Sequence, residues 1–483
     1  MFEYAQAAVE GALAAGATYA DARFGLSAIE SLHARNGVME AVNQYESAGV
    51  GVRALIGSSW GFFAAAEPSE ATARQAGYDA AEIAKASALV PGPPLQLADV
   101  PVVDAEWTST WLEHPHEVPL AEKADLLVGA TDSMRGVPGV AVGHAYMNGW
   151  DTQKWFVSSQ GHRIFQHIVE CGTSMSATAV GEHETQRRSY GGIGGYWGTR
   201  GYELIRELDL PGNAGRIAEE AVALLAAPEC PSGVTDVILG SEQLALQIHE
   251  SVGHAIELDR ILGWEAAFAG TSFLDLARLG QFRYGSDLMN ITADATLPGA
   301  LGSFGFDDEG TPAQRVDIVR DGIWVGVLTG RDSAALAGLP PGGMVRADGW
   351  SHLPMVRMTN VGIVPGDSSL EEIVATTDDG IYMETNRSWS IDDKRLNFQF
   401  GTEVGYEVKQ GKLGRLLRNP TYTGITPQFW ASLDMLGGRH EWNFWGTPNC
   451  GKGQPMQTGH TGHPAVPARF RNVRVGVTSR TAK

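Results

Sequence analysis

The stretch VTDVILGSEQLALQIHESVGH, residues 234–254, orders the reading of the whole chain. Val234 to Leu239 is a short, largely apolar run of the kind that forms a buried strand. Gly240 interrupts it, and Ser241 is placed to cap a helix. That helix would carry His249, Glu250 and His254. Upstream, a helix from about Ala214 to Ala226 ends near Pro228, Pro231 and Gly233, which marks a boundary between residues 1–228 and 229–483. A chain of 483 residues suits two such units.

Outward from this point the pattern is one of grouped hairpins and helices. Tyr4 to Ala15 reads as a helix, followed by alternating runs at Ala22–Leu26 and Glu30–Ala34 and a tight turn at Asn36-Gly37. Gly49–Ile56 and Gly61–Ala66 form a further strand pair, and Ser69 caps a helix to about Ala88. Pro91, Pro93, Pro94 and Pro101 give an extended connector, and Leu120–Met134 is helical. Val140 to Ala179 alternates as strands, with Asn148-Gly149 as the expected turn. Gly191 to Gly201 reads as a loop without the glycine spacing of a phosphate cradle. Beyond Ile291, short strands and turns dominate. Segregated helices and antiparallel hairpins predict an α+β fold of two domains, each a mixed or antiparallel sheet with packed helices.

Composition narrows the function. Hydrophobic residues make up 43% and charged residues 19%, enough for a large core. Thirty-six Lys and Arg stand against 56 Asp and Glu, a net charge of −20 that repels phosphate backbones and argues against nucleic acid as a partner. The start, Met1-Phe2-Glu3-Tyr4, lacks the features of a secretory leader, and no apolar run is long enough for a membrane span. Three cysteines, Cys171, Cys230 and Cys450, suit a reducing compartment, so a cytoplasmic location is expected.

His249-Glu250-Ser251-Val252-Gly253-His254 is one residue longer than the His-Glu-x-x-His pattern of common zinc peptidases. In a regular α-helix, residues five apart are separated by roughly 140° and residues four apart by roughly 40°. Two histidines at this spacing cannot share an ion from a regular helix, whereas a π-type turn would put both on one face. Gly253, without a Cβ, would ease that distortion. Glu250 is placed to act as general base, and Glu257 and Asp259 can orient the imidazoles through their second ring nitrogens. A catalytic zinc normally takes a third protein ligand and leaves one position open. Cys450 is the candidate, in a polar loop where Lys452 would favour the thiolate, with His460 and His463 as rivals.

At these residues the chain resembles the TldD/PmbA family of metallopeptidases, some of them described as modulators of DNA gyrase. The resemblance runs through Gly49-Val50-Gly51-Val52-Arg53, Gly61-Phe62 and the His249 motif with Glu257 and Asp259. It continues in Asp307-Asp308-Glu309-Gly310-Thr311-Pro312, His352-Leu353-Pro354-Met355, Arg357-Met358-Thr359-Asn360 and Cys450-Gly451-Lys452. The intact motif resembles the catalytic TldD-type member rather than its PmbA-type partner. What this implies is a zinc-type site held by His249, His254 and Cys450, with Glu250 as the base toward water bound to the ion. It also implies a dimer, either a homodimer or a pair with a PmbA-like subunit, that hydrolyses unfolded or short peptides. Iron or another divalent transition metal accepts the same ligands as Zn2+.

Other readings stand beside this one. Gly57-Ser58-Ser59-Trp60-Gly61 fits the GxSxG nucleophile signature but lies between two strands rather than at a strand–turn–helix elbow. Asp307, Asp308 and Glu309 read as calcium ligands or as a polar turn. His352 reads as an oxyanion donor, as a group that orients a metal ligand, or as a buried structural histidine. A non-catalytic peptide-binding subunit with a structural or vestigial metal is the competing class.

Overall fold

The computed structural model describes residues 1–476 apart from residues 91, 93, 193 and 269. Pro91 and Pro93 of the expected connector therefore lie outside the described residues. The fold is α+β, as the grouping of hairpins and helices predicts. Its N-terminal sheet uses β1 (Tyr19–Arg35), β2 (Val38–Ile56), β3 (Ser59–Ala66), β4 (Asp104–Thr108), β5 (Val140–Ser158) and β6 (Arg163–Val180), with β7 (Thr185–Tyr190) and β8 (Tyr196–Gly198) added to β6. The order is β3-β2-β1-β5-β6-β4, antiparallel except for the last pair.

Alternation along β1 decides what each face meets. Ala20, Ala22, Phe24, Leu32 and Ala34 are buried beneath helices. At one end these are α1 (Phe2–Ala14) and α2 (Glu70–Ser87), and at the other α3 (Leu120–Arg135) and α4 (Leu210–Ala226). Ser69 caps α2 with a reciprocal bond between its side chain and Thr72, worth about 1 kcal/mol in such motifs. The opposite face, carrying Arg23, Gly25, Ser27 and Ile29, turns toward the C-terminal half.

The two Asn-Gly pairs behave differently. Asn36 and Gly37 both take positive φ, 51° and 80°, and turn β1 into β2 as a type I′ hairpin requires. Asn148-Gly149 does not turn: both residues lie within β5, paired on each side, and the chain reverses at residues 159–162. A Cβ on Gly149 would stand 3.1 Å from Pro115, a tight approach that glycine avoids. The runs at 22–26 and 30–34 are likewise one continuous strand rather than two.

In the C-terminal half, β9 (Gly233–Leu239), β10 (Asp379–Ile391), β11 (Asn397–Lys409), β12 (Lys412–Arg418), β13 (Thr421–Ile425), β14 (Leu433–Leu436) and β17 (Ala468–Val475) share one sheet. The pairings β10–β9, β9–β17, β17–β13, β13–β11 and β11–β10 close it into a ring. A hairpin of β15 (Asn443–Lys452) and β16 (Gln457–Ala465) and a four-stranded sheet built from Ile291–Asp294, Arg315–Arg320, Ile323–Trp324 and Val361–Ile363 complete it.

Buried ions and a tryptophan slot join the halves. Asp307 accepts three backbone N–H groups, from Glu309, Thr311 and Val345. Asp308 pairs with Arg23 and Lys154, and Glu309 with Arg53 at 3.2 Å. These carboxylates diverge toward separate partners, so they make a structural junction rather than the calcium site read as an alternative. Gly25, Gly49 and Gly51 leave room for Trp350, and a Cβ on Gly51 would lie 2.0 Å from the Trp350 carbonyl oxygen. Val50 and Val52, on the other face, fill the helix-side core. Gly51→Ala should therefore lower the unfolding free energy by about 1–3 kcal/mol, read from the urea midpoint. An unshifted midpoint would show that the slot is not tight.

Candidate metal centre

β9 ends at Leu239, Gly240 takes the extended N-cap conformation, and α5 (Ser241–Ile248) begins one residue later. Ser241 is thus the first helical residue rather than the cap, and its hydroxyl accepts from Trp445 Nε1 at 3.1 Å. The helix runs directly into a π-turn over His249–Gly253, as the five-residue spacing predicts. His254 N–H donates to the His249 carbonyl at 3.2 Å, closing an i→i+5 ring. Groups displaced by the wider turn find partners: Tyr284 Oη donates to the Ser251 carbonyl at 2.6 Å, and Ser251 Oγ donates to the Gln247 carbonyl at 2.6 Å while accepting from Trp430 Nε1 at 2.9 Å. Gly253 serves packing here, since a Cβ would stand 2.1 Å from Met358 Sδ.

The turn brings the His249 and His254 rings to 4.7 Å between centroids. Cys450 arrives from β15, just past an irregularity in its pairing with β16, and its Sγ lies 3.7 Å from His254 Nε2. One donor atom from each of the three residues lies within 4.8 Å of the other two. Their side chains are buried, and with Glu250 they line a cavity of about 590 Å³.

Hydrogen bonding fixes which lone pairs face inward. His463 Nδ1 lies 3.0 Å from the Val361 carbonyl, which can only accept, so this nitrogen carries the proton and His463 Nε2 is left as an acceptor. His249 Nδ1, 2.8 Å away, donates to it, and the His249 Nε2 lone pair stays free. His254 Nδ1 donates to Glu257 at 3.0 Å, which frees its Nε2 in the same way. Arg260 Nη2 stands 3.3 Å from that Nδ1, a contact this tautomer makes non-bonding. Glu257 also receives Arg260 Nε at 2.6 Å and Lys452 at 3.3 Å, and these cations hold its carboxyl well below its ordinary range despite burial. Two imidazole lone pairs and a sulfur that converge in a buried pocket fit a tetrahedral transition-metal ion with a position left open.

Burial holds all three groups in their neutral forms. It pushes His249 well down and His254 down to about 3, aided by Arg260, and raises the Cys450 thiol to about 11. Lys452 does not favour the thiolate as expected, because it is committed to Glu257 and to Asp259 at 2.7 Å. Only a bound cation would reverse the thiol's preference. Glu250 is raised by burial, opposed by Arg395, whose Nη1 donates to it at 2.7 Å.

The other expected residues fall elsewhere. Asp259 does not touch either imidazole of the pair; it bonds Lys452 and the Arg260 N–H, and burial pushes it up to about 6. His463 orients His249 rather than replacing Cys450. His460 is on the opposite side of β16, 2.8 Å from Glu170. His352 bonds through Nδ1 to the Asp348 carbonyl and is not among the residues lining the cavity. Ser59 opens β3 in a strand–strand hairpin, without the elbow that the nucleophile reading needs. Arg395 and Trp389, at the β10–β11 hairpin, escaped the sequence reading, since nothing in their spacing points to the motif. So did the cavity wall formed by Gly191, Gly192, Gly194 and Gly195.

Residues 20–88, 113–227 and 232–476 match the models of PmbA/TldA metallopeptidase domain 1, central domain and C-terminal domain. The first two of these segments contribute to one continuous sheet. A metalloprotease of Methanothermobacter thermautotrophicus is 29% identical, covering 95% of this chain and 96% of its own. A metalloprotease TldD homologue of Haemophilus influenzae is 27% identical over 95% and 93%. Among solved structures, a Thermotoga maritima protein described as a candidate modulator of a DNA gyrase has a TM-score of 0.76 at 18% identity, covering 98% and 99%. TldE from Thermococcus kodakarensis has 0.71 at 15%, covering 98% and 100%. At these identities the structures establish the shared fold.

The His463 contact has a pH signature. Burial holds His463 down to about 4 in the fold, against about 6.5 for an unfolded imidazole. Between these values the unfolded chain binds a proton that the folded one does not, so stability rises with pH. The stability of the wild type minus that of His463→Gln, measured metal-free, should increase from pH 4 to pH 6.5, by up to about 1.4 kcal/mol per unit. A difference that stays flat would mean that His463 is not held neutral.

Proposed function

The chain belongs to the PmbA/TldD metallopeptidase family, and from that membership we propose that it is a metal-dependent peptidase acting on unfolded or short peptides, with His249, His254 and Cys450 as the ion's ligands and Glu250 as general base. The observation that carries this reading is the convergence of three donor atoms within 4.8 Å, beside a carboxylate in the same cavity. Two imidazoles and a thiolate suit zinc, and iron or another divalent transition metal accepts them too. Such an ion supplies Lewis acidity toward a peptide carbonyl and toward water.

The chain's own groups do the rest. Glu250 takes the proton of the attacking water and delivers it to the leaving amine nitrogen. Arg395, donating at 2.7 Å, holds that carboxylate in place and favours its ionised form against the cost of burial. His463 and Glu257 keep the two Nε2 lone pairs directed inward. The glycines at 191, 192, 194 and 195 present main chain rather than side chains to the cavity, which suits an extended peptide recognised through its backbone.

Residues 229–483 form the catalytic domain in this reading and residues 1–228 the N-terminal domain. The chain is the catalytic member of a pair with a TldE- or PmbA-like subunit, or of a homodimer. Three cysteines without a disulfide among them support a cytoplasmic location. No helix among the described residues is long and apolar enough to cross a membrane. Nucleic acid is not proposed as a partner.

Glu250→Gln should lower kcat on an unstructured peptide pool by roughly 10²- to 10⁴-fold while the metal content of the purified protein stays unchanged. Turnover equal to wild type would remove Glu250 as the base. Full activity in metal-free protein would end the account, leaving a peptide-binding subunit as the reading.

A further inference from the structure

A second cavity, of about 420 Å³, lies between the open face of the N-terminal sheet and the C-terminal half. The β15–β16 hairpin separates it from the metal centre: Cys450 reaches toward His254, whereas Pro448, Gly459 and His460 border this other space. Four cations line it, Arg23, Lys154, Arg346 and Arg357. Arg23 and Lys154 share Asp308. Glu170 is engaged by His460, and Asp348 accepts from the Thr458 N–H and hydroxyl, both at 2.8 Å.

Arg346 and Arg357 have no carboxylate within ion-pair distance among the described residues. Each donates one nitrogen to a backbone carbonyl, of Met358 and Cys450 respectively. Arg346 Nε and Arg357 Nη1 are buried without a hydrogen-bond partner, as is Arg23 Nε. Arg357 is only 2% exposed. Burial, and then the neighbouring Arg357, push Arg346 down to about 10. A buried guanidinium, Arg357, beside a half-buried one, Arg346, each with an unspent donor out of solvent reach, makes a costly arrangement unless an anion completes it. Their planar forks match a carboxylate.

Beside these charges and polar groups such as Ser27, Thr152 and Ser303, the walls carry an apolar surface made by Trp150, Trp350, Phe304, Leu301 and Ile29. A bare inorganic oxyanion would leave these surfaces uncovered, whereas a ligand with an acidic head and an apolar body would satisfy both sets. We propose that this cavity is a binding site for an amphipathic carboxylate, its head between Arg346 and Arg357 and its body against Trp150, Trp350 and Phe304. Two sources share this chemistry: a free aliphatic or aromatic acid, and the C-terminal carboxylate of a peptide ending in an apolar residue.

The test titrates the full chain with 3-phenylpropionate, with N-acetyl-Phe-Leu bearing a free carboxylate, with the carboxamide of each, and with inorganic phosphate. Calorimetry gives the affinity, and tryptophan fluorescence reports on Trp150 and Trp350. The acids should bind at least ten-fold more tightly than their carboxamides, and the tighter acid identifies the source. Arg346→Gln should weaken acid binding at least ten-fold. Thr152→Met, which fills the cavity without removing a charge, should abolish it, and this variant serves if Arg346→Gln does not fold. Carboxamides that bind as well as acids, or acid binding unchanged in both variants, would overturn the proposal. Phosphate binding as tightly as the acids would overturn its apolar half.

Discussion

The i→i+5 turn over His249–Gly253, closed at its end by the His254 N–H on the His249 carbonyl, is the constraint on which the proposed metal centre depends. One extra residue between the histidines would point them apart on a regular helix, and the i→i+5 closure restores a common face. A π-turn is less favourable than the α-helix it replaces, so it persists only where its surroundings hold it. Here Tyr284, Trp430 and Gln247 take up the polar groups of Ser251, and Met358 fills the space beside Gly253. The irregular turn is thus a product of the C-terminal core, and the core is shaped around it.

Charge is distributed on the same principle. Glu257, Asp259, Arg260 and Lys452 are all nearly inaccessible to solvent, and each is matched by an opposite charge. Such pairs contribute little net stability compared with apolar residues of the same shape, but removing one partner strands the other. What they add at this site is direction. The carboxylate that orients His254 cannot rotate away without abandoning two cations. A similar group, Asp21 with Arg53 and Arg53 with Glu309, spans the junction between the halves, where burial raises Glu309 and Arg53 opposes that rise.

The sequence made the metal motif legible because spacing alone excludes a regular helix there, and it pointed to Cys450 by the demand for a third ligand. It left His463 among the rivals, since only coordinates show that β16 places it behind His249 rather than beside Cys450. Local signals also failed where tertiary packing overrode them. Asn36-Gly37 turns, with Asn36 bonded to Gly143 at the strand end, whereas Asn148-Gly149 is held between β1 and β6 beside Pro115 and stays extended. Likewise Ser241 resembles a cap, yet its hydroxyl is taken by Trp445. Arg395 was invisible because a hairpin 141 residues beyond His254 delivers it, and no periodicity records such a return.

The proton on His463 carries a further consequence. Val361, whose carbonyl fixes that proton, belongs to the four-stranded sheet rather than to the helix or hairpin that supplies the ligands. The inward lone pair of His249 in the proposed site therefore depends on three elements meeting: the helix that carries it, the hairpin that carries His463 and the strand that supplies the Val361 carbonyl. A substitution that shifts the Val361 carbonyl would therefore turn the His249 ring from a distance, through His463, without touching any of the three donor residues.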